Sequence, residues 1–120
     1  MIRLKRVHDL PDSADGACFL VDRLWPRGMK KSSLEIRAWL KDVAPSTDLR
    51  KWFHLNPARW DEFRRCYFAE LEENPAPWLL LLDTARCENV ALLYSSHDAE
   101  HNNAVALKEF LLHRLRTENG

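Results

Sequence analysis

The chain has 120 residues, of which 46% are hydrophobic and 30% are charged, the usual balance of a folded globular protein. Its 18 lysines and arginines equal its 18 aspartates and glutamates, so no overall field attracts it to DNA or to an anionic membrane. This length fits one domain, which we expect to span residues 1–120.

The first two predicted elements are β-strands. Alternating apolar and basic residues predict a strand with one polar face over residues 2–7. After a loop rich in turn formers at residues 8–16, the continuous apolar run at 17–21 is typical of a strand covered on both faces of a parallel sheet. Pro26 then takes the chain out of the sheet, because proline lacks the N–H that a ladder needs.

The next stretch has weaker signals. A capping-box pattern predicts a single helical turn over residues 30–35. We interpret residues 36–43 as a third strand, although their pattern also fits a helix. Ser46 or Thr47 is then expected to cap a short helix that runs through Phe53.

The C-terminal half is clearer. Asn-Pro pairs at 56–57 and 74–75 predict the starts of two amphipathic helices. The apolar run at 90–94 predicts a second buried strand, and Asp98 is expected to cap a final helix. This order of elements predicts an α/β fold: a three-layer domain with a small, mostly parallel sheet of about four strands flanked by helices.

Polar residues follow all four predicted strands. Because ligands of open parallel sheets bind beyond the carboxyl ends of the strands, we expect one site at that edge. Its most distinctive part is the string Asp22-Arg23-Leu24-Trp25-Pro26-Arg27-Gly28, where arginine forks suit a carboxylate or phosphate and tryptophan can stack a planar ligand. The predicted ligand-binding residues are Arg6, Asp22, Arg23, Trp25, Arg27, Tyr94, Asp98 and Asn102.

A structural alternative exists for the same string, in which Asp22 and Arg23 form an ion pair and Trp25 fills the core. His101, near the predicted helix N-terminus, is the candidate general acid or base if the protein catalyses a reaction, and its alternative role is a cap or a core hydrogen-bond partner. His97 and His101 have a metal-binding spacing, but no third ligand is evident. We therefore predict no metal, and the absence of G-x-G-x-x-G and Walker A motifs predicts no cofactor.

Cys18, Cys66 and Cys87 form no C-x-x-C pair, which argues against a disulfide framework and a zinc ribbon. Cys18 lies in an apolar run, so a buried small side chain is favoured over a catalytic thiol. The N-terminus has no apolar signal core, and no apolar stretch of about 18 residues occurs. We therefore expect a cytoplasmic protein that has no membrane partner.

The string at residues 22–28 resembles the YeaO-like branch of domain-of-unknown-function family 488. The likeness covers nearly the whole chain, and it implies an α/β fold and a bacterial or archaeal cytoplasmic protein, but no established activity. The family often has arginine at the position of His97, which weakens the metal hypothesis further. The other matching positions are Arg3-Leu4-Lys5-Arg6, Trp39-Leu40-Lys41-Asp42, Ala44-Pro45-Ser46-Thr47, Leu49-Arg50-Lys51-Trp52-Phe53, Trp60, Phe63, Tyr67, Leu92-Leu93-Tyr94, Asp98 and His101-Asn102.

The leading hypothesis is a small enzyme or ligand-binding domain that recognises a compact anion, phosphorylated or nucleotide-like. Whether it is an enzyme stays open, as do its substrate and oligomeric state. The alternatives are a DNA-binding regulator that uses the two paired helices, and a scaffold that binds a partner protein through exposed aromatic side chains. Zero net charge and the acidic residues on those helices argue against nucleic acid.

Overall fold

Four parallel strands form the centre of the protein. In the computed structural model, which describes residues 1–119, they are β1 (Ile2–Arg6), β2 (Ala17–Leu20), β3 (Ala38–Trp39) and β4 (Val90–Tyr94). Their order in the sheet is β1-β4-β2-β3. The central position of β4, with a strand on each side, explains its uninterrupted apolar sequence, because all five of its residues are buried. The predicted α/β fold with a small parallel sheet is confirmed.

Four α-helices accompany the sheet: α1 (Thr47–Leu55), α2 (Trp60–Glu73), α3 (Pro75–Cys87) and α4 (Asn103–Asn119). Ser46 caps α1 by accepting a hydrogen bond from the Leu49 N–H, as its position predicts. Pro75 is the first residue of α3, where its missing N–H costs nothing. None of the helices in residues 1–119 has both the length and the apolar composition needed to cross a bilayer.

The two faces of the sheet are covered differently. On one face, Phe19 and Leu92 belong to a large core that includes side chains from all four helices. On the other face, Leu20 and Leu93 belong to a smaller cluster that is covered by the irregular segment 24–36. The third layer therefore consists of this segment and its short 3-10 turn at Lys31–Ser33, not of an α-helix.

Three predicted boundaries are wrong. The Asn-Pro pair at 56–57 is expected to start a helix, but α2 starts only at Trp60. The third strand was expected over residues 36–43, but β3 has only two residues, and after the Leu40 N–H bonds to the Leu20 carbonyl (2.8 Å) the chain turns into a 3-10 helix. The Tyr67 hydroxyl of α2 donates to the Val43 carbonyl at 2.6 Å and holds that end of the segment against the helices. The third wrong boundary is the start of the final helix.

The final helix starts at Asn103, five residues after the predicted cap. The Asp98 carboxylate instead accepts the N–H groups of Glu100 and His101, both at 2.9 Å, so Asp98 caps a separate turn. The Asn102 side chain performs the capping role by accepting the Val105 N–H at 3.0 Å.

The loop before β2 contains a buried aspartate, which the sequence pattern indicates only as a turn former. Asp15 is 3% exposed, and its two carboxylate oxygens accept hydrogen bonds from Arg3 and Lys5 of β1. The Lys5 ammonium, with a smaller contribution from Arg3, lowers the pKa of this carboxyl below its ordinary 3.8 against the opposing effect of burial. Asp15 thereby ties this loop to the polar face of β1.

Candidate functional site

A cavity of about 610 Å³ lies beyond the carboxyl ends of β2 and β4. Its walls come from the segment after β2, the loop after β4, helix α1 and the start of α4. Its volume is within the usual range for sites that hold a small organic ligand. The strand-end rule therefore points to the edge of the sheet at which this cavity lies.

Asp22 joins two of these walls. Its Oδ2 accepts the N–H (2.9 Å) and hydroxyl (2.7 Å) of Ser95, after β4, and its Oδ1 accepts the Asn103 side-chain amide (3.1 Å) at the start of α4. A carboxylate that accepts three donors in this way fixes the relative positions of the segments that carry them.

Arg23 does not pair with Asp22 among the described residues. Its guanidinium donates instead to the carbonyls of Pro45 (Nε, 2.9 Å) and Ala44 (Nη2, 3.3 Å) in the turn before α1. The structural alternative of an Asp22–Arg23 ion pair is therefore wrong. Arg23 lines the cavity and holds its α1 wall in place without using a carboxylate.

Arg27 stands on a tight turn at the cavity wall. The Met29 N–H donates to the Pro26 carbonyl at 3.3 Å, and Gly28 has φ +78°, as the third residue of a type II turn requires. The Trp25 indole N–H donates to the Met29 carbonyl at 2.6 Å and anchors the turn. This geometry leaves Arg27 exposed, and its guanidinium has no hydrogen-bond or ion-pair partner within residues 1–119.

Trp25 combines the two roles that the sequence left open. Its ring packs edge-on against Trp39, with centroids 5.5 Å apart, in the cluster on the second face of the sheet. It also lines the cavity. Because its N–H and one ring edge are already engaged, it contributes a fixed wall.

Helix α1 supplies site residues that sequence reasoning missed. Arg50, Phe53 and His54 line the cavity, and their i, i+3, i+4 spacing places them on one helix face. The strand-end rule does not predict these three residues, because they lie on a helix and do not follow a strand. The available signal was an exposed arginine and a histidine on the same helix face as an aromatic residue.

Four rings form a series beside α1, which we call the aromatic series: Phe53, Phe63, Trp60 and His101. Phe53 stacks on Phe63 (centroids 4.3 Å apart), Phe63 on Trp60 (5.6 Å), and Trp60 on His101 (4.8 Å). Phe53 and His101, at its two ends, both line the cavity. His101 therefore lies at the predicted edge of the sheet, where its ring forms part of the cavity wall.

Two predicted ligand-binding residues lie away from the cavity lining. Tyr94 is 5% exposed and packs in the main core, since its side chain points to the helical face of β4. Arg6 does not line the cavity, and its Nη2 is 3.4 Å from Nδ1 of His97, which is a lining residue. Asp98 and Asn102 do line it, alongside their capping roles.

The lining is richer in free cations than in free anions. Its carboxylates are Asp22, whose two oxygens both accept hydrogen bonds, and Asp98, which accepts two backbone N–H groups through Oδ1. The pKa of Asp98 is lowered by the N–H groups of His101 and Glu100. By contrast, Arg27 and Arg50 have no carboxylate within 4.0 Å among residues 1–119. No group of three metal-ligating side chains occurs in that range.

The fold and this cavity define a small parallel α/β protein with an arginine-bearing, ligand-sized cavity at the C-terminal edge of its sheet. A family model described as the inactive DUF488-N3 subclade matches residues 1–120, so the chain belongs to that family. The resemblance stated from the residues 22–28 string is thereby confirmed.

The curated relatives are themselves uncharacterized. The chain is 42% identical over 110 residues to the uncharacterized protein YeaO of Escherichia coli (strain K12), a match that covers 92% of this chain and 96% of YeaO. It is 39% identical over 104 residues to the uncharacterized protein Rv3073c of Mycobacterium tuberculosis, covering 87% of this chain and 88% of the relative. No solved structure gives a significant match.

Proposed function

We propose that the cavity binds a compact anion, phosphorylated or nucleotide-like, and that it does so without catalysis. The observation that carries the proposal is the pair of exposed guanidiniums, Arg27 and Arg50, which line one cavity and have no carboxylate partner within residues 1–119. Arg23 adds a third guanidinium whose bonds go to neutral carbonyls, so its charge is not cancelled by an adjacent acid.

Some arginines outside the cavity pair with acids, whereas Arg65 and Arg116, like the cavity arginines, have no carboxylate within 4.0 Å among residues 1–119. Arg37 makes a two-bond contact with Glu88, and Arg64 bonds to Glu109 through two nitrogens. Acidic partners are therefore available on this electrically neutral chain, yet none lies at the cavity arginines in the described residues. A planar guanidinium that lacks an internal partner is suited to a carboxylate or phosphate from outside.

The absence of turnover is inferred from the polar groups beside those arginines. The Asp22 carboxylate accepts three hydrogen bonds through its two oxygens, and two backbone N–H groups lower the pKa of Asp98, which makes it a weaker base. The His101 ring is stacked on Trp60, so it forms part of the cavity wall. The description of the subclade as inactive favours the same conclusion.

Calorimetric titration of the protein with inorganic phosphate tests the proposal. Each charge-assisted hydrogen bond corresponds to about 1.5–3 kcal/mol, so the double variant Arg27→Ala/Arg50→Ala should bind phosphate at least about tenfold more weakly. The matched control is Arg37→Ala/Arg86→Ala, which removes two exposed arginines that do not line the cavity and should leave affinity within about twofold. Equal affinity in both double variants would refute the proposal.

The DNA-binding alternative gains no support from the cavity, because α2 and α3 contribute their apolar faces to the core. A gel shift with random duplex at low salt is its direct test. The scaffold alternative is tested by the mass of the protein in solution with and without a cell lysate.

A further inference from the structure

The cavity is much larger than its arginines require. A bare phosphate group would contact one or two guanidiniums and leave most of the 610 Å³ unfilled. Much of the remaining wall is apolar, with Phe53, Phe63 and Pro57 on the helical side and Leu24 and Pro26 on the opposite segment. An anion that fills this space therefore carries an organic group.

Helix α1 specifies how the charged and aromatic parts of the ligand are arranged. Arg50 and Phe53 are three residues apart, so they are neighbours on one face of α1, separated by about one helical turn, or about 5 Å. A pentose between a phosphate and a base spans a comparable distance. The helix thus presents a guanidinium and an aromatic ring at the spacing of the two ends of a nucleotide.

The rings of this wall are preorganised. Phe53 is backed by Phe63 with an interplanar angle of 23°, and His101 is backed by Trp60 with an angle of 17°. Phe63 is 2% exposed and is fixed in the core, so the series cannot collapse into the cavity. Rings that are already fixed lose little conformational entropy when another flat ring packs on them.

His101 adds a polar edge to the wall. Its backbone N–H is used by Asp98, but the ring nitrogens have no partner within residues 1–119. A ring nitrogen that can donate or accept a hydrogen bond suits a heteroaromatic group with polar atoms on its edge.

We propose that the ligand is a phosphate ester that carries a planar heteroaromatic ring, the chemical class of nucleoside phosphates. Its phosphate contacts Arg27 and Arg50, and its ring packs on the wall formed by Phe53 and His101. This inference rests on the proposed function, because the arginines must hold an anion before the wall can select its organic part.

The test compares three probes by calorimetry: adenosine monophosphate, ribose 5-phosphate and inorganic phosphate. Stacking one base on an aromatic side chain corresponds to about 5- to 150-fold in affinity. We expect wild-type protein to bind adenosine monophosphate at least about tenfold more tightly than ribose 5-phosphate. Equal affinities for these two probes would overturn the inference and leave the anion proposal standing, whereas no binding of any probe would overturn both.

Variants separate the two parts of the site. Phe53→Leu should remove most of the advantage of adenosine monophosphate and leave ribose 5-phosphate unchanged, whereas Arg27→Ala/Arg50→Ala should weaken both probes together. Because Phe53 packs on Phe63, His101→Ala is the second variant: His101 is exposed, so its loss leaves the core intact. A full nucleotide preference in both ring variants would contradict the assignment of the wall.

Discussion

Replacing Asp22 with asparagine tests whether this residue holds the site together. The carboxylate accepts two bonds from Ser95 and one from Asn103, and these two residues belong to different walls of the cavity. In Asp22→Asn, one side of the amide is an NH₂ group, which faces a donor in either orientation. With the oxygen toward Ser95, the bond from Asn103 is lost and the other two change from charged to neutral acceptors.

The magnitude follows from those three bonds. A hydrogen bond to a charged group contributes about 1.5–3 kcal/mol and a neutral one about 0.5–1.5 kcal/mol. One lost bond and two weakened bonds would total about 3.5–6 kcal/mol, and partial exposure of Asp22 reduces the expected loss to about 2–3 kcal/mol.

Urea unfolding followed by tryptophan fluorescence and far-UV circular dichroism measures this loss. The control is Asp61→Asn, whose side chain is 86% exposed and bonds only to Arg64, so its free energy of unfolding should change by at most about 1 kcal/mol. If Asp22→Asn unfolds within about 0.5 kcal/mol of the wild type at unchanged denaturant slope, Asp22 does not fix the two walls.

Three further changes test the fold around the site. Asp15→Asn should make the free energy of unfolding depend less on pH in acid. The folded pKa of Asp15 lies below 3.8, so the stability that its carboxylate contributes is complete above that value and is lost as the pH falls through the folded pKa. Urea midpoints that run parallel for variant and wild type from about pH 6 to about pH 2 would contradict this. Tyr67→Phe should lower the free energy of unfolding by about 1–2 kcal/mol, because it leaves the buried Val43 carbonyl without its donor, and an unchanged urea midpoint would show that the bond contributes nothing. Gly28→Ala should cost about 1–2 kcal/mol in thermal or urea unfolding through its φ of +78° alone, because no atom lies within 4 Å of the added methyl, and a larger loss would reveal a clash.

The sequence predicted the fold where one physical requirement dominated. A run such as 90–94 has to be buried on both faces, and its place at the centre of a parallel sheet follows from that. The residues 36–43 stretch had no such dominant requirement. Its strand has only two residues, and the 3-10 helix that follows is held at Val43 by Tyr67, 24 residues further along the chain, a contact that no local pattern encodes.

The same distinction applies to Asp98 and Asn102. Both residue types are good helix caps, so the sequence could not decide which of them begins α4. In the structure Asp98 closes a turn and Asn102 caps the helix, which moves the helix start to Asn103. That shift is what allows the Asn103 amide to reach Asp22, so a cap choice that looks minor determines one bond of the site.

The sequence predicted only the part of the candidate site that follows the strands. Strand-end reasoning finds Asp22, Arg23 and Arg27, because it concerns residues that follow strands. Arg50 and Phe53 reach the cavity through the packing of α1, whose position depends on Ser46: the Ser46 N–H and hydroxyl donate to Glu70 of α2 at 2.8 and 2.6 Å. Those are contacts between residues 24 positions apart, and only the folded chain displays them.

The Ser46–Glu70 contact also helps to hold the walls of the cavity in place. Both carboxylate oxygens of Glu70 accept hydrogen bonds from Ser46, the cap of α1. In the same way, both oxygens of Asp22 accept hydrogen bonds, from Ser95 and Asn103. Acidic groups near the cavity thus serve to hold its walls, while Arg27 beside them stays unpaired in the described residues. This distribution agrees with the proposed function, in which the arginines bind an anion in a cavity whose walls are already held in place.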